Sequence, residues 1–253
     1  NINKMDIIVL SVGFDFIDNK NSLKNLIKLI NSITLNIKSG ALLLIETTLP
    51  PGTFEKILVP RIKQSLKKRR VRFENIFLGY SFERIMPGSK YYDSIVNNYR
   101  CYSGLNIPSK KAVRSFLKSI INYKKYPLKE LDTITECEAA KILENSYRAI
   151  NIALIDEWVK YAKTISVDLL NIIKSIKIRG THSNIMMPGL GVGGYCLPKD
   201  GLFAAKSAKM IFKRKQNFPF INLASKINNK MPFTSLNLIE SETKRLKGEK
   251  ILI

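Results

Sequence analysis

Ala41-Leu42-Leu43-Leu44-Ile45-Glu46-Thr47-Thr48-Leu49-Pro50-Pro51-Gly52-Thr53 sets the architecture. Its first five residues are apolar, follow the Ser39-Gly40 stop, and carry no polar interruption. That is the pattern of a short strand buried in a parallel sheet. The run ends at Glu46-Thr47-Thr48, and Pro50-Pro51-Gly52 turns the chain into a helix predicted over 53–68. On the N-terminal side, 7–12 is a second apolar run, closed by Gly13, which also reads as a buried parallel strand. Between the two, apolar residues at 23, 26, 27, 30, 33 and 37 have helical spacing over 22–37, with Ser22 as candidate cap. On the C-terminal side, 76–80 is a third strand. The alternation β-α-β-α-β implies a parallel sheet with right-handed crossovers, whose ligands sit beyond the carboxyl ends of its strands. Those ends carry Val12-Gly13, Glu46-Thr47-Thr48 and Tyr80-Ser81-Phe82-Glu83-Arg84.

Further along, 99–104 reads as another strand and 109–121 as a helix. The pattern lapses at 126–132. From 135 to 164 the periodicity is long: Ala139, Ile142, Leu143, Tyr147, Ile150, Leu154, Trp158 and Tyr161 share one face. A helix of this length bridges domains or builds a dimer interface. Shorter helices are expected over 167–176, 201–212 and 218–246, the last broken at Pro232. Residues 248–253 read as a turn and a strand. There is no internal repeat or low-complexity tract.

Composition narrows the function. Of 253 residues, 45% are hydrophobic, enough for a core. No apolar run reaches the roughly 20 residues a bilayer requires, and the short run near the N-terminus lacks a cleavage site. Three cysteines, at 101, 137 and 196, form no C-x-x-C pair and leave an odd count, which points to the cytoplasm. One histidine and no Cys/His cluster argue against a structural metal. The net charge of +22 is spread along the chain, and the clusters Lys67-Lys68-Arg69-Arg70 and Lys213-Arg214-Lys215 lack interleaved aromatics. A solvated surface explains it better than nucleic-acid binding.

The chemistry concentrates in Met187-Pro188-Gly189-Leu190-Gly191-Val192-Gly193-Gly194-Tyr195-Cys196-Leu197-Pro198-Lys199-Asp200. Gly189, Gly191 and Gly194 satisfy G-x-G-x-x-G, but no strand precedes them and Pro198 argues against an early helix, so this is not a dinucleotide turn. A thiol beside a cation and a carboxylate, in a backbone that can approach a ligand closely, suits a nucleophile on a substrate loop. Lys141 and Asn145, four apart on the long helix, are neighbours on its surface. Lys141 could instead pair with Glu138 or Glu144, Asp200 could cap the next helix, Thr48 could cap a turn, and Glu83-Arg84 could be a surface ion pair.

Taken together, Glu46-Thr47-Thr48-Leu49-Pro50-Pro51-Gly52-Thr53, Ser81-Phe82-Glu83-Arg84-Ile85-Met86-Pro87-Gly88, Glu138-Ala139-Ala140-Lys141 through Asn145, and Gly191 to Asp200 resemble the nucleotide-sugar 6-dehydrogenases, the UDP-glucose and UDP-N-acetylhexosamine dehydrogenases. The resemblance implies the second half of a Rossmann-like parallel sheet domain over 1–133. An all-helical central domain with a long helix follows over 134–246, then the first strand of a UDP-binding domain over 247–253. It implies oxidation of the C6 alcohol of a UDP-sugar to a carboxylate with two NAD. Cys196 would form the thiohemiacetal and thioester. Lys141 and Asn145 would stabilise the oxyanion, Asp200 and Glu83 would move protons, and Thr48 would hold a water. Val12, Glu46 and Thr48 fall at the cofactor; Glu83, Arg84, Lys141, Asn145 and Gly193 fall at the substrate. A homodimer through the long helix is implied too, with neither nucleic acid nor membrane as partner. The alternative is a catalytically incompetent piece that only dimerises or binds ligand. Phe82 stands where the family usually has Pro, Val12-Gly13 replaces Pro-Thr, and the family's Gly-rich turn is not in the sequence. Tyr195 and Lys199 resemble the UDP-glucose enzymes, whereas Glu83-Arg84 with Met86-Pro87-Gly88 resembles the N-acetylhexosamine enzymes.

Overall fold

The computed structural model describes residues 1–15, 21–85, 88–194, 196–243, 248 and 250. Two compact units are present. Unit 1 comprises Asn1–Leu143 and Phe203–Gln216; unit 2 comprises Glu144–Leu202 and Asn217–Ile253.

Unit 1 holds a five-stranded sheet in sequential order: β1 (Ile7–Leu10), β2 (Leu42–Ile45), β3 (Phe77–Phe82), β4 (Cys101–Gly104) and β5 (Lys129–Glu130). β1, β2 and β3 are parallel, with Leu10 beside Ile45 and Leu42 beside Phe77. β4 runs antiparallel to β3, pairing Tyr80 with Ser103, and β5 lies parallel to β4. The reversal follows from the short connection: among the described residues, only α3 (Tyr91–Val96) stands between β3 and β4. An antiparallel neighbour needs no long crossover.

Alternation along β2 explains why both sheet faces are dry. Leu43 and Ile45 join Leu78, Tyr80 and Phe82 in one buried cluster, with residues of α1 (Ser22–Thr34), α2 (Val59–Lys68) and the start of α5 (Ile134–Thr164). Leu42 and Leu44 point the other way, to Tyr102 and to Val113 and Leu117 of α4 (Ile107–Ile120). β1 departs from its expected burial: it is an edge strand, with Ile7 41% and Val9 42% exposed.

Helix ends moved relative to the sequence reading for local reasons. Asn21, not Ser22, is the N-cap of α1. A π-turn over Phe54–Leu58 precedes α2. α5 opens with a capping box: Thr133 Oγ1 accepts from the Glu136 amide at 3.1 Å, and Glu136 Oε2 accepts from the Thr133 amide at 3.2 Å. α6 (Leu169–Lys177) is capped by Asp168, which accepts from the Leu170 amide at 2.8 Å. α7 (Leu197–Met210) starts earlier than expected and includes Pro198, because first-turn N–H groups have no helical partner to lose. α8 (Pro219–Thr243) continues through Pro232 instead of breaking there. The strand expected at 247–253 falls almost wholly outside the described residues.

On α5 the expected apolar face divides. Ile142 is buried, but Leu143, Tyr147, Leu154 and Tyr161 are 43–65% exposed. The buried side instead carries Ile134, Cys137, Glu138 and Lys141.

Candidate active site

In unit 1 the candidate residues gather where β1, β2 and β3 end. Thr47 ties two of those ends together: its Oγ1 accepts from the Val12 amide at 2.9 Å and reaches the Val12 carbonyl at 3.2 Å. Tyr80, buried in β3, donates its hydroxyl to the Thr47 carbonyl at 3.1 Å. Thr48, the next residue, is half-buried, and Val12 and Gly13 are exposed beside it.

Lys141 is the most informative residue. Its side chain is buried, Nζ donates to the Glu83 carbonyl at 2.7 Å, and Nζ lies 5.6 Å from the centre of the Phe82 ring. No carboxylate neutralises it among the described residues, so surface pairing with Glu138 or Glu144 is ruled out. A buried ammonium held only by a carbonyl and an aromatic face keeps donors and charge for a ligand. Phe82 also meets Arg84, whose guanidinium carbon lies 4.9 Å from the ring centre and whose Nη1 donates to the Tyr99 carbonyl at 2.6 Å. The Glu83 carboxylate accepts from the Ile85 amide. Met86 and Pro87 of this motif lie outside the described residues.

Glu46, expected at the cofactor, pairs with Arg100 Nη1 at 3.1 Å, with side-chain exposures of 15% and 5%. Burial pushes the Glu46 carboxyl up despite Arg100, and nearby Glu83 adds to the shift. Glu138 is fully buried, accepting from the Gly52 amide at 2.6 Å and the Phe54 amide at 2.9 Å. It fastens α5, three residues before Lys141, to the turn after Thr47-Thr48. Its functional position was readable as a carboxylate on the buried face set by Ile134 and Ile142. Arg100 gave no comparable signal, because its partner is 54 residues away. Cys137 is a packed thiol, pushed up by burial, while Cys101 is half-buried.

Unit 2 holds the second cluster. Cys196 is half-buried and immediately precedes α7; its carbonyl accepts from the Lys199 amide at 3.1 Å and the Asp200 amide at 2.9 Å. The thiol-bearing residue therefore sits at a helix N-terminus, where negative charge is stabilised. Asp200 is completely buried, and its Oδ2 accepts from Asn145 Nδ2 at 2.8 Å. It lies inside α7 and is not its cap. One amide hydrogen of Asn145 is thus committed, and the other has no acceptor among the described residues. Gly193 is exposed, with open space where a Cβ would stand. Tyr195 lies outside the described residues. His182 is half-buried and its ring bonds the Thr181 hydroxyl. Among the described residues there is no group of three or more metal-binding side chains.

The chain has recognisable relatives. Residues 1–121 match the NAD binding domain, and residues 135–230 the central domain, of the UDP-glucose/GDP-mannose dehydrogenase family. The UDP-N-acetyl-D-mannosamine dehydrogenase of Methanococcus vannielii is 34% identical, over 95% of this chain and 51% of the relative. The UDP-N-acetyl-D-glucosamine 6-dehydrogenase of Pseudomonas aeruginosa is 31% identical, over 83% and 48%. Among solved structures, the UDP-D-ManNAc dehydrogenase of Pyrococcus horikoshii aligns with a TM-score of 0.78 at 26% identity, covering 99% of this chain and 58% of that one. The chain spans about half the length of the curated relatives it matches.

Proposed function

The chain belongs to the UDP-glucose/GDP-mannose dehydrogenase family, and from that premise we propose that the protein oxidises C6 of a UDP-N-acetylhexosamine to the carboxylate. The observation that carries this is Lys141 of α5, a buried cation with no carboxylate partner among the described residues, whose Nζ reaches the Glu83 carbonyl just beyond β3. The N-acetylhexosamine preference over glucose is supported by the names of the relatives above 30% identity.

NAD, when bound, accepts the hydride in each of the two oxidations. The part of its site in this chain fits: exposed Val12-Gly13 and half-buried Thr48 stand at the carboxyl ends of parallel strands, braced by Thr47. The sequence has no Gly-rich turn between a strand and a helix to hold the pyrophosphate. The open edge of β1, with Ile7 and Val9 uncovered, suits further strands of the same domain.

The residues act in order. Cys196 Sγ adds to the carbonyl carbon of the sugar aldehyde, and the oxyanion takes charge from Lys141 and the second amide hydrogen of Asn145. Asp200 orients Asn145. Oxidation of this thiohemiacetal gives a thioester. Water, placed by Thr48, then breaks the carbon–sulfur bond, Glu83 taking its proton and the thiolate leaving. Arg84 and Gly193 line the substrate side.

A second copy is the expected macromolecular partner. An apolar groove of about 180 Å³ on unit 2, lined by Ile150, Leu154, Phe220, Leu223, Ala224 and Ile227, favours a homodimer through α5. No helix among the described residues is long and apolar enough to cross a membrane. The test is NADH release by the intact protein given NAD and UDP-ManNAc, UDP-GlcNAc or UDP-glucose. Two NADH per N-acetylhexosamine, lost in Cys196→Ala, is expected. Carboxylate formation at the normal rate by Cys196→Ala would refute the covalent route.

A further inference from the structure

Unit 2 contains a cavity of about 20 Å³ whose walls include Ala149 of α5, Val192, Leu197 and Pro198 beside Cys196, and Ser225 and Asn228 of α8. Asn228 is only 6% exposed. Its Nδ2 donates to the Ala149 carbonyl at 3.0 Å, which fixes the orientation of the amide. The other end, Oδ1, is buried and has no hydrogen-bond partner among the described residues. A buried amide oxygen with nothing to accept is costly, and such groups are characteristically satisfied by ordered water. The cavity has the volume that one water needs and no more.

The walls show what such a water would hold. Leu197 and Pro198 directly follow Cys196, and Val192 belongs to the glycine loop before it. The same stretch of α8 also supports that loop at Gly191, whose φ is +133°; a Cβ there would meet Met231 Cβ at 3.3 Å and Pro232 Cδ at 3.8 Å. Pro232 has no N–H, so the Asn228 carbonyl also lacks the donor that a regular helix supplies four residues on. The segments on both sides of the thiol thus rest on the same stretch of α8, from Ser225 to Pro232.

We propose that Asn228 and one buried water form the seat of the Cys196 segment, making Asn228 a positioning residue for that thiol. The functional consequence rests on Cys196 being the nucleophile; the seat itself does not.

A crystal structure of the intact protein, at a resolution that shows ordered water, is expected to place one water within hydrogen-bond distance of Asn228 Oδ1; an empty cavity there overturns the proposal. In Asn228→Ala, the Lys199 and Asp200 amides, which bond the Cys196 carbonyl, should exchange hydrogen about tenfold faster, the equivalent of roughly one lost hydrogen bond. Asn222→Ala, an exposed position on α8, should leave that exchange unchanged. With UDP-N-acetylhexosamine, kcat should fall about tenfold while KM stays within about twofold, the pattern of a mispositioned group. Unchanged exchange in Asn228→Ala overturns the seat even if Cys196 is essential. Faster exchange together with the crystallographic water upholds the seat even if Cys196→Ala still turns over, in which case it is the enzymatic reading that fails. Should Asn228→Ala not fold, Asn228→Ser replaces it, and the wild-type water still decides.

Discussion

Unit 1 and unit 2 reach a folded state by different means. In unit 1, β2 sends Leu43 and Ile45 into one apolar cluster and Leu42 and Leu44 into another. In unit 2 the buried apolar side chains among the described residues are few, and half of them are alanine: Ala153, Ile155, Ala162, Ile173, Ala224 and Met231. Ser146, Asp156, Asp200 and Asn228 are buried with them, while Leu154, Phe220 and Leu223 stay exposed. Unit 1 is held by apolar burial. Unit 2 is organised by polar contacts and leaves apolar surface for something else to cover.

The sharpest way to break that contrast is to cut equivalent side chains. Leu43→Ala in unit 1 should cost about 2–5 kcal/mol of unfolding free energy. Equal costs at Leu43 and at exposed Leu154 would erase the distinction. Next in size is Glu138→Gln, which keeps one acceptor for the Gly52 and Phe54 amides and sets an NH₂ against the other, costing about 1–3 kcal/mol. It should also change the pH dependence. Burial holds the Glu138 carboxyl well above 4.5, outweighing the two amide donors. The folded state therefore binds that proton more tightly than the unfolded chain. The contribution is complete below about pH 4.5 and is lost as pH rises through the folded value. Urea midpoints of the wild type should fall across that window, and Glu138→Gln should flatten the decline, leaving the same-signed share of Glu46.

In unit 2, Asp168→Ala removes the cap of α6 and should cost about 1 kcal/mol in thermal or urea unfolding. Smallest of all, Leu154→Ala should change monomer stability by no more than about 0.5 kcal/mol. The same substitution should weaken self-association measured by sedimentation, which separates an interface from an idle surface.

Much of unit 1 could be read from residue order. The runs at 41–45 and 76–80 and the helical spacing of 22–37 fix the β-α-β frame, because period and length are local properties. Strand direction is not local. Nothing in Cys101-Tyr102-Ser103-Gly104 marks it as antiparallel; that depends on how little chain separates it from β3. Nor does an apolar run reveal whether it lies at an edge, which is why Ile7 and Val9 read as buried. The two prolines misled for different reasons: at Pro198, in the first turn of α7, the missing N–H had no partner due, whereas at Pro232 the helix continues although the Asn228 carbonyl loses its donor. Around the candidate site, Lys141 was legible as a residue type at a spacing. Its burial, and the pairing of Glu46 with Arg100, depend on contacts across many residues.

The assignment of Phe203–Gln216 to unit 1 bears on genetic dissection. Phe203 sits in the apolar cluster, Ser207 Oγ donates to the Pro51 carbonyl at 2.7 Å, and Phe212 lies so close to Gly52, itself at φ +84°, that a Cβ there would come within 2.8 Å of its ring. A gene truncated after the sheet, which ends at Glu130, would encode a domain missing a plug that starts only at Phe203. Supplying that peptide separately, or splicing it on through a short linker, is what an independently expressed first half would require.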